Sequence, residues 1–388
     1  MINKIKKNNI LSEINLVEEY YNTDPIALAV SGGPDSMAMM FLASQSKKIK
    51  KENVTILTVD HDLRKDSFKE ANIVMQNAKK IGFKCKILKW KGLKPTSGIQ
   101  EAARRSRYDM MLSWCKKNNV KKLFLAHHMD DQVETFLMRL SIGSGIDGLS
   151  SMSKKSNKEN INIIRPFLEI PKVKLVEIAN FSKMEWISDP SNSNLSYQRS
   201  RIRKLIPILS KEGIDSHHIN LAIKRMDSAK DTLVKITNRD ISKYVKNMED
   251  IAYSLSYEAI DELSSEILLR ILDRVIMVAS GSIYPPRRAK VESILSWLKS
   301  DSKVTAKTLS GTVIRKRKDY IIFYRELKSS QSSPNIYPLT SRYLSWDNRF
   351  CIKLNKSKKL EVRSLGDKGV KILKSKKILK KKGLNNIP

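Results

Sequence analysis

Short apolar runs alternate with amphipathic stretches along the first half of the chain. The apolar runs lie at 26–30, 54–59, 85–90, 123–126 and 161–164. Between them, apolar side chains recur at helical spacing over 37–43, 68–81, 99–114 and 131–140. Strands that alternate with helices favour an α/β fold with a doubly wound, mostly parallel sheet. Such sheets bind ligands at the carboxyl ends of their strands, so polar motifs at those ends are the candidates for function.

The pattern changes near residue 212, where the alternation gives way to helical periodicity with few glycines. Two apolar runs, 312–315 and 320–324, predict a hairpin, and 329–334 is a linker by composition. The sequence therefore predicts a catalytic domain over 1–212, a mainly helical domain over 213–330 that ends in the hairpin, and a short basic α+β segment over 335–388.

Charge narrows the class of partner. The chain of 388 residues carries 73 Lys and Arg against 40 Asp and Glu, a net charge of +33 that is spread along its length. Cations distributed in this way favour a phosphate backbone, which they bind by releasing counterions. The alternative is a genomic bias toward lysine, but the number of acidic residues is not raised to balance the number of basic residues. Nucleic acid is the expected partner.

Cysteine usage and hydropathy indicate the compartment. Cys85, Cys115 and Cys351 lie far apart and in no Cys-x-x-Cys, which argues against a disulfide framework or a zinc site. The basic N-terminus lacks the apolar stretch of a signal peptide, and no apolar run reaches the length of a membrane span. We expect a cytoplasmic protein without a membrane partner. The oligomeric state stays open, with a homodimer among the alternatives.

The most informative motif is Ser31-Gly32-Gly33-Pro34-Asp35-Ser36, which follows the first apolar run and opens a helix. Two successive glycines let the backbone approach an anion, while helix-start amides and the serine hydroxyls supply donors. The Asp35 carboxylate would repel a phosphate unless Mg²⁺ bridges the two. The spacing is not that of an ATPase P-loop, and a plain strand-to-helix turn is the alternative.

Two further motifs carry groups that suit a nucleotide. The second apolar run ends in Asp60-His61-Asp62-Leu63-Arg64, where Asp60 can accept from sugar hydroxyls and Arg64 can pair with phosphate. A surface turn is the alternative there. The third helical stretch places Arg104 and Arg107 on one face, where they can clamp a phosphate or form a solvated basic face.

The segment His127 to Thr135 opens the helix after the fourth apolar run. Asp131 and Glu134 share one face, directed at the crevice that the Gly-Gly turn also borders. Asp131 can help to hold Mg²⁺ or bind an ammonium group. Two alternatives stay open, namely a two-metal site, for which further carboxylates are lacking, and helix capping by acids.

Two more segments complete the candidate chemistry. A glycine-rich loop over 141–149 suits either a helix end or close approach to a substrate. Arg199, Arg201 and Arg203 form a basic stripe, which is either a solvated face or a strip of phosphate contacts.

The Ser-Gly-Gly-x-Asp-Ser motif resembles the PP-loop of N-type ATP pyrophosphatases, which have an adenine nucleotide α-hydrolase-like fold. Several motifs occur in an order similar to bacterial tRNA(Ile)-lysidine synthetases, densely over about 24–210: SGGPDS, VDHDLR, GIQEAARRSRYDML, AHHMDDQVETFLMRL, GSGIDGLSSM, RPFL and DPSNSNLSYQRSRIR. The resemblance implies an enzyme that uses ATP and Mg²⁺ to adenylate the wobble cytidine of the CAU anticodon in an isoleucine tRNA. Lysine then replaces the activated oxygen at C2, which gives lysidine, AMP and pyrophosphate.

The resemblance also implies roles, carried over motif by motif. Asp35, Arg107 and Asp131 would be catalytic, Asp35 and Asp131 would hold Mg²⁺, and Asp131 with Glu134 would lie near the lysine. The ATP site would comprise Ser31, Gly32, Gly33, Pro34, Asp35, Ser36, Asp60, His61 and Arg64. The candidates for tRNA contact are Arg104, Arg165, Arg199, Arg201 and Arg203.

One residue departs from the family pattern. Asp62 stands where the family usually has glycine, and because aspartate tolerates left-handed backbone better than most residues, we expect a local adjustment there. Two other functions are weighed. A PP-loop tRNA thiolase commonly needs reactive or cluster-binding cysteines, which the three dispersed cysteines do not suit. A non-catalytic RNA-binding protein with a degenerate nucleotide site is disfavoured by the intact acidic and basic motifs.

Overall fold

The computed structural model describes residues 13–62, 67–90, 92, 98–187, 195–248, 251–326, 337–338, 343–346, 349–353 and 361–362. The chain divides into two compact units, Met1–Lys230 and Asp231–Pro388. Among the described residues, no helix has both the length and the apolar character needed to cross a membrane.

A six-stranded sheet forms the centre of the first unit. Its strands are β1 (Ile26–Ala29), β2 (Val54–Asp60), β3 (Lys84–Lys89), β4 (Lys122–Leu125), β5 (Lys155–Lys158) and β6 (Ile161–Ile164). They lie in the order β3-β2-β1-β4-β6-β5, and all neighbours are parallel except β5 with β6. The five predicted apolar runs are confirmed as β1, β2, β3, β4 and β6. The mostly polar edge strand β5 was not predicted.

Helices cover both faces of this sheet. They are α1 (Ile14–Glu18), α2 (Pro34–Gln45), α3 (Ser67–Lys80), α4 (Ile99–Lys117), α5 (Met129–Leu140), α6 (Ile146–Leu149), α7 (Lys172–Phe181) and α8 (Gln198–Lys211). Leu28 of β1 shares a core with Met40 of α2, whereas its neighbour Ala27 shares another with Met111 of α4. Strands buried on both faces must be apolar throughout, which explains the unbroken runs in the sequence and confirms the doubly wound α/β class.

The strand order creates the crevice. From β1 the chain proceeds to β2 and β3 on one side and then crosses to β4 on the other, so the order reverses between β1 and β4. In open α/β sheets, ligands bind at the carboxyl ends of the strands at such a reversal. The Gly-Gly turn follows β1, and His127 and His128 follow β4, so both motifs lie at this point.

A long helix, α9 (Ser216–Tyr244), contains the division between the units at Lys230. Its first turns belong to the first unit, where Ile219 and Ile223 pack against Val133 of α5. The sequence predicts a domain boundary near 212 instead, in the turn between α8 and α9. Glycine and charge mark that turn in the sequence, whereas the packing that joins early α9 to the first unit leaves little local signal.

The second unit is a five-stranded antiparallel sheet with helices on one face. Its elements are β7 (Val245–Met248), β8 (Ala252–Ser256), α10 (Glu258–Glu262), α11 (Ser265–Ser280), α12 (Arg288–Lys299), β9 (Ala306–Leu309), β10 (Thr312–Lys316) and β11 (Tyr320–Arg325). The strand order is β7-β8-β11-β10-β9, and Ile314 and Phe323 pack with Leu272 of α11. The predicted hairpin is confirmed as β10 and β11. The strands β7, β8 and β9 were not predicted, because they are short and half-polar.

Two small pairings follow. They are β12 (Tyr337–Pro338) with β15 (Glu361–Val362), and β13 (Tyr343–Trp346) with β14 (Phe350–Lys353). Most of the predicted basic segment, the linker 329–334, Arg64 and the segment 189–192 lie outside the described residues.

Candidate active site

The turn after β1 depends on glycine. Gly32 has a φ of +91°, and its carbonyl accepts a hydrogen bond from the amide of Ile187 at 2.9 Å. A Cβ atom at position 32 would lie 2.6 Å from Cδ1 of Ile187. Both the left-handed backbone and the close contact exclude a larger residue without a local shift. Position 32 of the motif therefore requires glycine for conformational reasons.

Serine side chains hold the turn in this shape. Ser36 Oγ accepts from the amide of Ser31 at 3.1 Å and donates to the carbonyl of Gly33 at 3.0 Å. Gly33 is extended and precedes Pro34, the first residue of α2. A proline there has no amide to satisfy, while the next amides of the first turn lack acceptors within the helix. The loop is thus pre-organised, with free donors for an anion.

Two carboxylates meet at His128. Its Nε2 lies 3.5 Å from Oδ2 of Asp35, on α2, and 3.4 Å from Oδ2 of Asp131, on α5. His128 also caps α5, because its Nδ1 accepts from the amide of Asp131 and the Asp131 carboxylate accepts from the amide of His128 at 3.1 Å. The cap and the Gly-Gly turn together bring Asp35 and Asp131 to one place, as the sequence predicts for Asp131.

This cluster shifts the pKa values of its members. Burial opposes a charge on His128, but the Asp35 and Asp131 carboxylates outweigh burial and raise its pKa. Burial also opposes the charge on Asp131, but His128 and Arg199 outweigh burial and lower its pKa. Burial holds the pKa of His127 well below its ordinary value, so this imidazole is neutral. Asp131 is therefore a carboxylate at neutral pH.

The cluster suits a hard cation that is bound together with phosphate. Oδ1 of Asp35 is buried and has no hydrogen-bond partner in the described part of the chain. No group of three or more His, Cys, Asp or Glu among the described residues is arranged as a metal site. Mg²⁺ usually takes only one or two carboxylates and completes its shell with phosphates and water. Asp35 and Asp131 therefore fit Mg²⁺ that arrives with a nucleotide, and among the described residues no cluster of carboxylates supports the alternative of a two-metal site.

Several arginines lie near this cluster. Burial lowers the pKa of Arg107, with Arg104 and Arg199 adding repulsion. Repulsion from Arg165, Arg104 and Arg199 also lowers the pKa of His127. Mutual repulsion between neighbouring guanidinium groups is unfavourable unless an anion lies among them. Arg107 thus lies near Arg199, and its catalytic role stays a prediction. His127 and His128 also lie at the site, although the sequence reasoning did not select them as site residues.

The structure divides the predicted stripe on α8. Arg199 donates to Oε2 of Glu134 at 2.5 Å and lies 3.4 Å from Oδ1 of Asp131. Arg203 contacts both oxygens of the same Glu134, whose side chain is 2% exposed. Residues 199 and 203 share a helix face that packs on α5, so they ion-pair there and do not form a free strip with Arg201. The two arginines occupy both carboxylate oxygens of Glu134. The predicted place of Glu134 near the lysine therefore stays a prediction, in which Glu134 would act through these arginines.

The other predicted basic residues have local partners. Arg201 donates to the carbonyls of Leu195 and Ser196 at 3.1 and 2.8 Å. Arg165 donates to the carbonyl of Ser153 and the hydroxyl of Ser156, both at 3.0 Å. Arg104 is exposed, and its guanidinium lies 6.0 Å from the Tyr108 ring centroid. These three remain predicted RNA contacts, and Arg104 and Arg201 are exposed whereas Arg165 is half-buried.

The end of β2 is a braced turn. Asp60 is 1% exposed, and its Oδ1 accepts from the amide of Asp62 at 2.9 Å and the hydroxyl of Ser67 at 2.6 Å. Asp62 has a φ of +51°, so it adopts the left-handed backbone that aspartate tolerates better than most residues. His61 packs edge-on against Trp90 with ring centroids 6.0 Å apart. Asp60 thus contacts both Asp62 and Ser67, the first residue of α3, and its Oδ2 is buried without a hydrogen-bond partner among the described residues.

The glycine-rich loop is tied to α5. Gln132 pairs with the backbone of Met152 through two hydrogen bonds of 2.8 and 2.9 Å. Arg139 donates to the carbonyls of Gly148 and Ser151 at 2.6 and 3.1 Å. The helix that carries Asp131 therefore also positions this loop, which stays a candidate for substrate approach.

The chain is similar to known proteins over most of its length. Residues 5–209 match the family described as PP-loop domain. A tRNA(Ile)-lysidine synthase of Wolbachia pipientis wMel is 39% identical to the chain over 335 residues, which span 85% of this chain and 77% of that protein. A tRNA(Ile)-lysidine synthase of Ruegeria pomeroyi is 30% identical over 365 residues, which span 92% of this chain and 84% of that protein.

A solved structure supports the fold. The U34-tRNA thiolase NcsA of Methanococcus maripaludis, determined with its [4Fe-4S] cluster, superimposes with a TM-score of 0.50 at 18% identity, over 57% of this chain and 80% of that one. In the present chain Cys85 lies on β3, Cys115 on α4 and Cys351 on β14. Burial raises the pKa of Cys85 to about 11 and of Cys115 to about 12. Dispersed thiols with raised pKa values suit neither a cluster nor sulfur transfer.

Proposed function

The chain belongs to the tRNA(Ile)-lysidine synthase family, and from this membership we propose that it joins lysine to C2 of the wobble cytidine of an isoleucine tRNA with a CAU anticodon. ATP activates the C2 oxygen as an adenylate, and lysine then displaces AMP. The observation that carries the proposal is the meeting of Asp35 and Asp131 at His128, beside the pre-organised Gly-Gly turn and Arg199.

The turn after β1 binds the phosphates. Gly32 and Gly33 let the backbone approach an anion, and the amides of the first turn of α2 point at it. Ser36 shapes the turn through two hydrogen bonds. Because no lysine follows the glycines, charge on the α-phosphate must be balanced by other groups, and the half-buried Arg107 is a candidate for this role. Mg²⁺ held by Asp35 and Asp131 would neutralise further phosphate charge.

Asp131 orients the lysine ammonium group, which loses its proton to water before the neutral amine attacks C2, so Asp131 is not the proton acceptor. The lowered pKa of Asp131 makes it a weak base, so its carboxylate is better suited to bind and orient an ammonium group. Arg199 lies 3.4 Å from the same carboxylate and is fixed by Glu134, so an incoming lysine shares Asp131 with a cation already in place. Glu134 thereby acts through Arg199 as a positioning residue.

The test uses purified isoleucine tRNA and methionine tRNA, both with a CAU anticodon, together with Mg²⁺, ATP and radiolabelled lysine. We expect label only in the isoleucine tRNA. Equal labelling of both tRNAs would contradict the assignment. Incorporation of sulfur from a donor in place of lysine would support the thiolase alternative, and RNA binding without ATP consumption would support the non-catalytic one. A homodimer remains a prediction that sedimentation of the same preparation measures.

A further inference from the structure

The turn that follows α11 displays large apolar side chains on a firmly held backbone. Gly281 ends the helix with a φ of +65°, and the amide of Ser282 donates to the carbonyl of Met277 at 3.0 Å. The hydroxyl of Ser282 donates to the carbonyl of Tyr284 at 2.8 Å and accepts from its amide at 3.3 Å. Pro285 and Pro286 follow and restrict the backbone further. The turn is ordered by its own hydrogen bonds.

Its apolar side chains remain in solvent. Ile283 and Tyr284 are each 74% exposed, and Val278 in the last turn of α11 is 51% exposed. Ile283 and Val278 also line a cavity of about 660 Å³, whose wall includes Arg349 and Phe350. Single exposed apolar residues are common, whereas a group of them beside a cavity marks an interaction site.

Basic side chains flank this surface. Arg287 and Lys290 are exposed and form no ion pair with any residue that the structure describes. Their neighbour Arg288, by contrast, pairs with Glu266 at 2.7 Å and Glu292 at 3.2 Å. Exposed rings beside unpaired cations are the composition that binds single-stranded nucleic acid, in which bases stack on the rings and phosphates lie near the cations.

We propose that the stacking surface, defined as Val278, Ile283, Tyr284, Arg287 and Lys290, binds an unpaired nucleotide of the tRNA other than the wobble cytidine. The base stacks on Tyr284, and the adjoining phosphates lie near Arg287 and Lys290. The identity of the RNA rests on the proposed function, whereas the stacking surface rests on exposure and charge. A protein partner is disfavoured, because the apolar side chains are bordered by two cations, Arg287 and Lys290, that form no ion pair with any described residue.

The test measures binding of isoleucine tRNA to the full chain at several salt concentrations. We expect Tyr284→Ala to raise Kd about fivefold to a hundredfold without changing the salt dependence, since stacking releases no counterions. Tyr284→Phe keeps the ring and should bind like wild type. Arg287→Gln should instead reduce the slope of log K against log salt by about 0.7 to 0.9.

Three outcomes overturn the inference: wild-type Kd in Tyr284→Ala, equal weakening in Tyr284→Ala and Tyr284→Phe, or a change in sedimentation with unchanged RNA binding, which would indicate a protein interface. Because Tyr284 is largely exposed, the urea midpoint of each variant should match wild type. Failure of the proposed function is seen separately, as wild-type protein that binds tRNA with normal dependence on Tyr284 but attaches no lysine.

Discussion

Replacement of Gly32 by alanine tests whether the phosphate-binding turn needs a conformation that suits glycine alone. The φ of +91° and a distance of 2.6 Å from the new Cβ to Cδ1 of Ile187 act together. A left-handed backbone costs an L residue about 1–2 kcal/mol. The contact is with the end of a flexible side chain, whose displacement from its rotamer costs about 0.5–1.5 kcal/mol. We therefore expect Gly32→Ala to lower the free energy of unfolding by about 2–3 kcal/mol.

Two control variants separate the contributions. Gly33 has an ordinary φ of −71°, and a Cβ there would meet nothing closer than 3.8 Å, so Gly33→Ala should cost only about 1 kcal/mol or less, from the poorer helix cap. Ile187→Val removes the Cδ1 atom that the new methyl group approaches. In that background, Gly32→Ala should cost about 1 kcal/mol less than in wild type, because only the backbone penalty remains.

Urea denaturation followed by tryptophan fluorescence gives the free energies of unfolding for all of these variants, provided that the slopes agree. The reasoning about the turn would be refuted if Gly32→Ala cost no more than Gly33→Ala. Equal penalties for Gly32→Ala in the wild-type and Ile187→Val backgrounds would refute the close contact alone. ATP binding by the folded variants then reports separately on the anion site.

Other residues give further predictions. Asp62→Val should lower the free energy of unfolding by about 1–2 kcal/mol, because position 62 has a φ of +51°, whereas Asp62→Gly should not lower it, and urea titration distinguishes the two. Because folding raises the pKa of His128, the protonated imidazole stabilises the folded protein. This stabilisation is fully present below the ordinary pKa of histidine and is lost as the pH rises through the raised pKa of the folded state. The difference in free energy of unfolding between wild type and His128→Gln, measured without divalent ions, should therefore become smaller as the pH rises. A difference that grows with pH would contradict the stabilising role of protonated His128. Glu134→Gln should destabilise by about 1–3 kcal/mol, because Arg199 and Arg203 lose a buried carboxylate, and unchanged urea stability would argue against that pairing.

The elements that the sequence predicts well are those whose signal is local. The parallel strands are apolar throughout because both faces are covered, so each could be located from a few consecutive residues. The left-handed conformation of Asp62 could be expected because only a few residue types tolerate that backbone. The Gly-Gly turn and Asp131 follow strands that meet at the crevice, so their proximity could also be predicted.

The remaining features depend on contacts between distant segments. The pairing of Glu134 with Arg199 and Arg203 requires α8 to pack on α5, and helical spacing alone gives no indication of it. The central position of His128 depends on a side chain that caps its own helix and also reaches Asp35. The short strand β8 is stabilised by pairing with β11, which lies far along the chain. Its own residues are half-polar and give no strand pattern in the sequence.

The most direct test of the central claim is the stoichiometry of the reaction with isoleucine tRNA. One AMP and one pyrophosphate should form for each lysine attached, and no ADP, because the PP-loop site directs cleavage between the α and β phosphates. Asp35→Ala should abolish AMP formation while tRNA binding persists, since Asp35 belongs to the phosphate site and not to the RNA surface. Release of ADP in proportion to lysine attachment, or normal AMP formation by Asp35→Ala, would contradict the account.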